Sequence, residues 1–393
     1  MSHVYDFDKG VDRRGTDAKK FDPSLCPDDV LPFWIADSEF QSPVELTEAL
    51  HKRVDMPHYG YPYIDSAFEN AVARWYKVRH NTVLNPDYID FSPNVIMAMI
   101  WVVKEFSAVG DKVLLQTPVY PPFHGLIKNN GRQLVYNEMK LVDGRYEIDW
   151  EDLEKKLKDP ALKIMFICNP QNPTGRNFTR EELTRMGELC IANDVMIGID
   201  EIHADIVFDG GEFIPFCSIS EEFANHSVTF VNPAKTFNIA AFRTAAWFTH
   251  NEKIYRRMMN QQAYAKGMGR NIFGNIALEV CFGQCDDYAD QCLAYLNGTR
   301  DMFVDYINEN VPGITAIKPE ATFMSWLDCR GLGFETQQEL KDFMFNDAKV
   351  LLNDGTTFGA KEGFGFMRFN FAAPRSMVME GAKRIEAAVK ARA

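Results

Sequence analysis

Three apolar runs in this 393-residue chain end in side chains that could do chemistry. "KIMFIC" (163–168) leads into "NPQNPTG", which carries Asn172. "VMIGI" leads into "DEIHAD", which opens with Asp200, and "SVTFV" (227–231) leads into "NPAK", which ends at Lys235. Each has an ordinary reading: an Asn-Pro-Gly loop is a turn, a strand-end Asp is a cap, and a lysine is a solvated charge. Placed in this order behind successive runs, the three suit a single task. A lysine amine can hold an aldehyde as a Schiff base. A carboxylate facing a pyridine nitrogen keeps that nitrogen protonated, so the ring becomes an electron sink. An Asn side chain can hydrogen-bond a phenolic oxygen. The set reads as a cradle for one aromatic aldehyde cofactor.

The elements that must position these groups are legible from about residue 40 to 250. The runs "KVLLQ" (112–116), "RQLVYN" (132–137), "KIMFIC", "VMIGID" (195–200), "SVTFV" and "TAAWFT" (244–249) are near-continuous rather than alternating. That suits strands buried on both faces in a mainly parallel sheet under helices. Ligands of open α/β sheets sit beyond the carboxyl ends of the strands, where Asn172, Asp200 and Lys235 fall. "SPVE" (42–45) is expected to start a helix, with Ser42 as N-cap and Glu45 closing a capping box; "TREE" (179–182) and "TQQE" (336–339) repeat the device. Residues 285–393 hold long helical patterns around "TFMSWLD", "KVLLN" and "FGFMRFNF", expected as a smaller α+β domain. The division expected is a large domain over 46–284 and a small domain made of 1–45 and 285–393.

The bulk numbers exclude several classes. Net charge is -13 with no basic block, against nucleic acid as a partner. The longest apolar run, Val95 to Val103, has nine residues and reads as a buried helix, since a membrane span needs about 20. "MSHVYDFDKG" lacks an apolar segment, so a cytoplasmic protein without a signal peptide is expected. The eight cysteines include no C-x-x-C, and no histidine lies near Cys281 and Cys285 to complete a metal site; reduced thiols are expected and no metal.

The chain resembles the fold-type I pyridoxal-phosphate (PLP) enzymes, the aspartate aminotransferase superfamily, over nearly its whole length. Within it, "FWIADSEF" (33–40), "YGY" (59–61), "TPVYPPF" (117–123), "NPQNPTGR" (169–176), "DEIHAD" (200–205), "AKTFNIA" (234–240), "PEATFMSWLD" (319–328) and "MRFNFAAPR" (367–375) look like the MalY/PatB group of cystathionine β-lyases, or C–S lyases. The resemblance implies an α/β fold with a mainly parallel seven-stranded sheet in the large domain. It also implies roles. Lys235 carries the cofactor and serves as base at the substrate Cα. Asp200 pairs with the pyridine nitrogen, Asn172 holds the phenolic oxygen, and Tyr120 stacks on the ring. Arg368 grips the substrate carboxylate, a planar fork being better suited than a lysine. Val95 and Ile96 in "SPNVIMA" offer backbone N–H groups to the phosphate at a helix N-terminus. Tyr61 reaches the phosphate of the neighbouring subunit, so a homodimer with shared sites is implied. Packing aromatics are the alternative for Tyr61 and Tyr120, and a structural ion pair for Arg368.

Some residues depart from the pattern. Asn232, Pro233 and Ala234 stand where many relatives carry a phosphate-binding serine, and Asn232 can still donate. His203 takes the place of a tyrosine found in many aminotransferases, which favours the lyase group. Arg243, eight residues after Lys235, matches the phosphate-binding arginine of true aminotransferases. Ser38-Glu39 and Ala321 replace Met-Asp and Gly. The expectation is a PLP-dependent C–S β-lyase acting on cystathionine or another S-substituted cysteine. An aminotransferase is the alternative, followed by a regulatory binding protein on a PLP fold.

Overall fold

All six apolar runs form strands of one sheet. The computed structural model describes residues 3–265 and 269–392. Across the sheet the order is Ile89–Ser92, Ala245–Phe248, Ser227–Val231, Met196–Asp200, Leu162–Cys168, Lys112–Thr117 and Gln133–Glu138. Ala245–Phe248 runs antiparallel to both of its neighbours, and the remaining pairs of the sheet are parallel. Every residue of Met196–Asp200 and Ser227–Val231 is buried, which explains the unbroken apolar runs. The seventh strand, Ile89–Ser92, escapes the sequence pattern because it is four residues long and half polar. The apolar run from Val95 lies in the helix Val95–Phe106, whose buried residues include Trp101, Val102 and Val103.

Helix capping follows the sequence in two cases and departs from it in one. Thr179 with Glu182, and Thr336 with Glu339, form complete capping boxes. Ser42 does not cap. The helix is Val44–Val54, Pro43 occupies the cap position, and no side chain caps it. Tertiary partners draw both residues away: Ser42 Oγ donates to the Phe237 carbonyl at 3.4 Å, and Glu45 accepts from the Tyr5 hydroxyl at 2.6 Å.

Beyond residue 285 the helices Asp286–Asn310 and Arg375–Arg392 accompany a four-stranded antiparallel sheet. Its order is Thr315–Ile317, Met324–Asp328, Phe366–Asn370, Asn353–Asp354. The apolar stretches read as surrounded by helix are therefore strands themselves. Val350–Leu351 pairs in parallel with Leu31–Pro32, which ties the N-terminal segment to this region. All eight cysteines are buried and free. Among the described residues no cluster of three potential ligands could hold a metal, and no helix is long and apolar enough to cross a membrane.

Gly175 closes the "NPTG" turn with φ +72°, and its carbonyl accepts from the Ala321 amide at 2.8 Å. A Cβ there would stand 2.3 Å from Pro319 Cβ. Gly175→Ala is expected to destabilise the chain by about 1–3 kcal/mol, the usual range for overpacking, measured by urea unfolding. Unchanged stability would show that the two loops do not depend on this approach.

Candidate active site

The polar ends of three parallel strands meet at one rim of the sheet and line a cavity with Tyr120, Asn172, Asp200, His203, Asn232 and Lys235. Asp200 ends its strand and is buried. Its Oδ1 accepts from the Ile202 amide at 3.1 Å. Burial outweighs that bond and the nearby Lys235 charge, so the carboxyl is raised to about 7. Lys235 lies in the single-turn helix Ala234–Phe237 directly after its strand. Its Nζ donates to the Ala36 carbonyl at 2.6 Å. Burial, followed by the Arg368 charge, lowers the amine to about 8.

Two amides are oriented by their oxygens. Asn172 Oδ1 accepts from Arg368 Nη1 at 3.0 Å, and Asn232 Oδ1 accepts from the Ala234 amide at 2.8 Å. Each leaves its NH2 group free of those bonds. Asn94 caps the helix at Val95–Phe106 by accepting from the Met97 amide at 2.9 Å, and Val95 and Ile96 line the cavity in its first turn. Their N–H groups are therefore not taken by the cap. A helix start of this kind favours an anion. His203 is buried, and its Nδ1 has no partner among the described residues. Burial and the charges of Lys235 and Arg368 hold its imidazole well below the usual value, so it is neutral at pH 7. Tyr120 is partly buried, and burial raises its phenol above the usual value.

Arg368 sits in the strand Phe366–Asn370 and is 3% exposed. It donates to Asn172 Oδ1, to the Trp34 carbonyl at 2.7 Å and to Asn353 Oδ1 at 2.5 Å. All three acceptors are neutral, which sets aside the structural ion pair. Its Nε has no partner among the described residues, and burial lowers the guanidinium to about 10. No acidic side chain among the described residues pairs with this cation, and a guanidinium fork suits a carboxylate.

Two expected residues stand apart. Tyr61 is 105% exposed, in a stretch without regular structure. Arg243 is exposed, takes a left-handed backbone with φ 49°, and is not in the cavity wall. Sequence reasoning missed the carbonyls of Trp34 and Ala36, and Asn353. A backbone oxygen carries no side-chain signature. The cavity also includes Cys168, whose thiol burial pushes up.

The raised Asp200 carboxyl has a stability consequence. Between about pH 4 and about pH 7 the native chain holds a proton that the unfolded chain has released. Asp200 therefore makes cofactor-free protein lose stability as pH rises through that window. Asp200→Asn is expected to remove this part of the slope, seen by urea unfolding of both proteins from pH 5 to 8. Parallel slopes would mean that Asp200 is ionised throughout.

Comparison with known proteins bears on this geometry. Residues 36–385 match the family model for aminotransferase class I and II. The chain is 36% identical to cystathionine β-lyase PatB of Bacillus subtilis, over 98% of this chain and 99% of that protein. Among solved structures, cystalysin of Treponema denticola, which contains pyridoxal 5'-phosphate, aligns with a TM-score of 0.96 and 33% identity, covering 100% of both chains. A PLP-bound putative aminotransferase of Clostridium difficile 630 aligns with a TM-score of 0.95 and 34% identity, over 98% of this chain and 100% of that one. With a family match running through the sheet, the cavity and the Arg368 strand, this chain belongs to the class I and II aminotransferase family.

Proposed function

We propose that the chain is a PLP-dependent C–S β-lyase that converts cystathionine, or a related S-substituted cysteine, to a thiol, pyruvate and ammonia. The observation that carries this reading is a depressed amine and a buried carboxyl in one cavity, beside an arginine without an acidic partner. The preference for elimination rests on the 36% identity with a cystathionine β-lyase.

The residues fit the cofactor. Lys235 would hold it covalently through Nζ. Asp200 would accept from the pyridine nitrogen, the free NH2 of Asn172 would donate to the phenolic oxygen, and Tyr120 would cover the ring. The N–H groups of Val95 and Ile96 and the NH2 of Asn232 would hold the phosphate. Once bound, the ring supplies an electron sink for the substrate Cα. Arg368, whose Nε–H has no partner among the described residues, would hold the substrate carboxylate through that group. Lys235 Nζ, as the free amine, would take the Cα proton, a task suited to an amine lowered to about 8. The electron pair left at Cα would form a Cα–Cβ double bond as the Cβ–S pair leaves with sulfur, which takes a proton to become the thiol. Water then replaces nitrogen on the three-carbon remainder, releasing pyruvate and ammonia. His203, neutral and with no partner for Nδ1 among the described residues, lines the same cavity.

The wider assembly follows the same reading. Exposed Tyr61 supports a homodimer in which it reaches the partner's cofactor phosphate. The seven-stranded sheet lies within 46–284, and the second sheet lies within 285–393, paired to the N-terminal segment, which supports the two-domain division. Eight free thiols support a reducing, cytoplasmic setting.

Incubation with cystathionine, cysteine and an amino-acid panel, with and without a 2-oxo acid, tests the reaction. Pyruvate and free thiol without the oxo acid are expected. Turnover that requires the oxo acid would make the chain an aminotransferase, a reading favoured by its similarity to the Clostridium protein. Asp200→Asn is expected to lower kcat by about 10²- to 10³-fold, the effect of losing one preorganised electrostatic partner. Borohydride should fix the cofactor on Lys235, and labelling of another lysine would overturn its role. For the dimer, mixing Tyr61→Phe with Lys235→Ala protein should create one site free of both lesions. Cofactor affinity at that site should exceed that of the Tyr61→Phe homodimer. Unchanged affinity after verified exchange would place Tyr61 outside the partner's site.

A further inference from the structure

The stretch Trp34–Asp37 presents its backbone oxygens to the site in sequence. The Trp34 carbonyl accepts from Arg368, and the Ala36 carbonyl accepts from Lys235. Between and after them, the carbonyls of Ile35 and Asp37 accept from Asn370 Nδ2 at 2.6 and 2.7 Å. Both proposed functional cations are therefore aimed by one short strap of main chain. An irregular strap needs something to hold it.

Behind it lies a cluster of four charged side chains outside the cavity. Lys20 is 1% exposed, and its Nζ sits 2.7 Å from Glu39 Oε1 and 3.2 Å from Asp37 Oδ1. Arg13 bonds both acids through paired contacts, at 2.9 and 3.2 Å to Asp37 and at 2.9 and 2.7 Å to Glu39. Lys20 Nζ also donates to the Asp37 carbonyl at 3.3 Å, and Trp34 Nε1 returns a bond to the Lys20 carbonyl at 3.1 Å. Two bases and two acids neutralise one another and clamp the strap at both ends. A lysine is almost never this deeply buried unless it is paired.

We infer that Lys20, with Arg13, is a positioning residue for the active site: by locking Asp37 and Glu39 it fixes the carbonyls of Trp34 and Ala36 that orient Arg368 and Lys235. The inference rests on the proposed roles of Arg368 and Lys235. The test is built so that the two fail separately.

Lys20→Met, with Arg13→Gln as the milder variant at the edge of the cluster, is compared with wild type in three measurements. The first is thermal unfolding. The second is the pH dependence with which Lys235 of cofactor-free protein reacts with an amine-selective reagent, read by mass spectrometry of its peptide. The charged groups acting on that amine are Arg368, Asp37, Asp200 and Lys20, with neutral His203 and Tyr120 in the same cavity. Removing the Lys20 charge leaves the acids to favour the ammonium, so the labelling midpoint is expected to move upward. The third is the split between KM and kcat. Loss of the Trp34 brace on Arg368 is expected to raise KM about 10-fold or more, as misplaced binding groups do, with a smaller change in kcat. A fall in melting temperature with unchanged midpoint and KM would overturn the inference and leave the cluster purely structural. If Lys20→Met does not fold, the same readings on Arg13→Gln decide, and wild-type values there overturn it. If wild type turns over no amino acid, the lyase reading fails while the labelling midpoint still judges the clamp.

Discussion

A guanidinium taken out of water must find acceptors for its N–H groups, and the way Arg368 finds them organises this molecule. Its acceptors are the Trp34 carbonyl, Asn172 and Asn353. They come from the N-terminal strap, the turn after a central strand of the large sheet, and the edge strand of the second sheet. Arg368 lies opposite Trp326 on one side and Asn353 on the other, so sheet register sets where the guanidinium points. Because every acceptor is neutral, the interior keeps an unbalanced positive charge at one place. That charge costs stability in the free chain, a cost that an anionic ligand would offset.

The same field shapes its neighbours. Arg368 helps to lower the Lys235 amine and to hold His203 neutral, while burial alone lifts Asp200. Amine and carboxyl are thus both brought near neutrality without being bonded to each other. Much of "DEIHAD" serves to hold this arrangement. Glu201 accepts from the Tyr76 hydroxyl at 2.6 Å and the Phe216 amide at 2.9 Å. Asp205 accepts from Trp75 Nε1 at 2.9 Å and from Thr236 Oγ1 at 2.6 Å, beside Lys235 in the chain. One short motif therefore supplies a cavity carboxyl, a cavity imidazole and two buried acids that tie the rim of the sheet to the helix Ala67–His80.

What the sequence determined by itself was local. Unbroken apolar runs marked six of seven strands because burial on both faces leaves no polar alternation. Thr179 and Thr336 marked helix starts because a capping box closes within four residues. Asn172, Asp200 and Lys235 were legible as a set because each lies at or just beyond the end of its strand, and parallel strands bring such positions to one rim. Tertiary structure decided the rest, wherever a group answers to a partner far along the chain. The Ser42 and Glu45 side chains bond Phe237 and Tyr5 instead of capping the helix. Arg243 kept the expected spacing from Lys235 yet stands exposed, with its own backbone in the left-handed region. Lys20 and Glu39 look like surface charges in the sequence and become a buried pair only when the N-terminal segment lies against the sheet of Phe366–Asn370. The oxygens that hold Arg368 and Lys235 belong to the backbone, which every sequence shares, so only the folded chain could select Trp34 and Ala36.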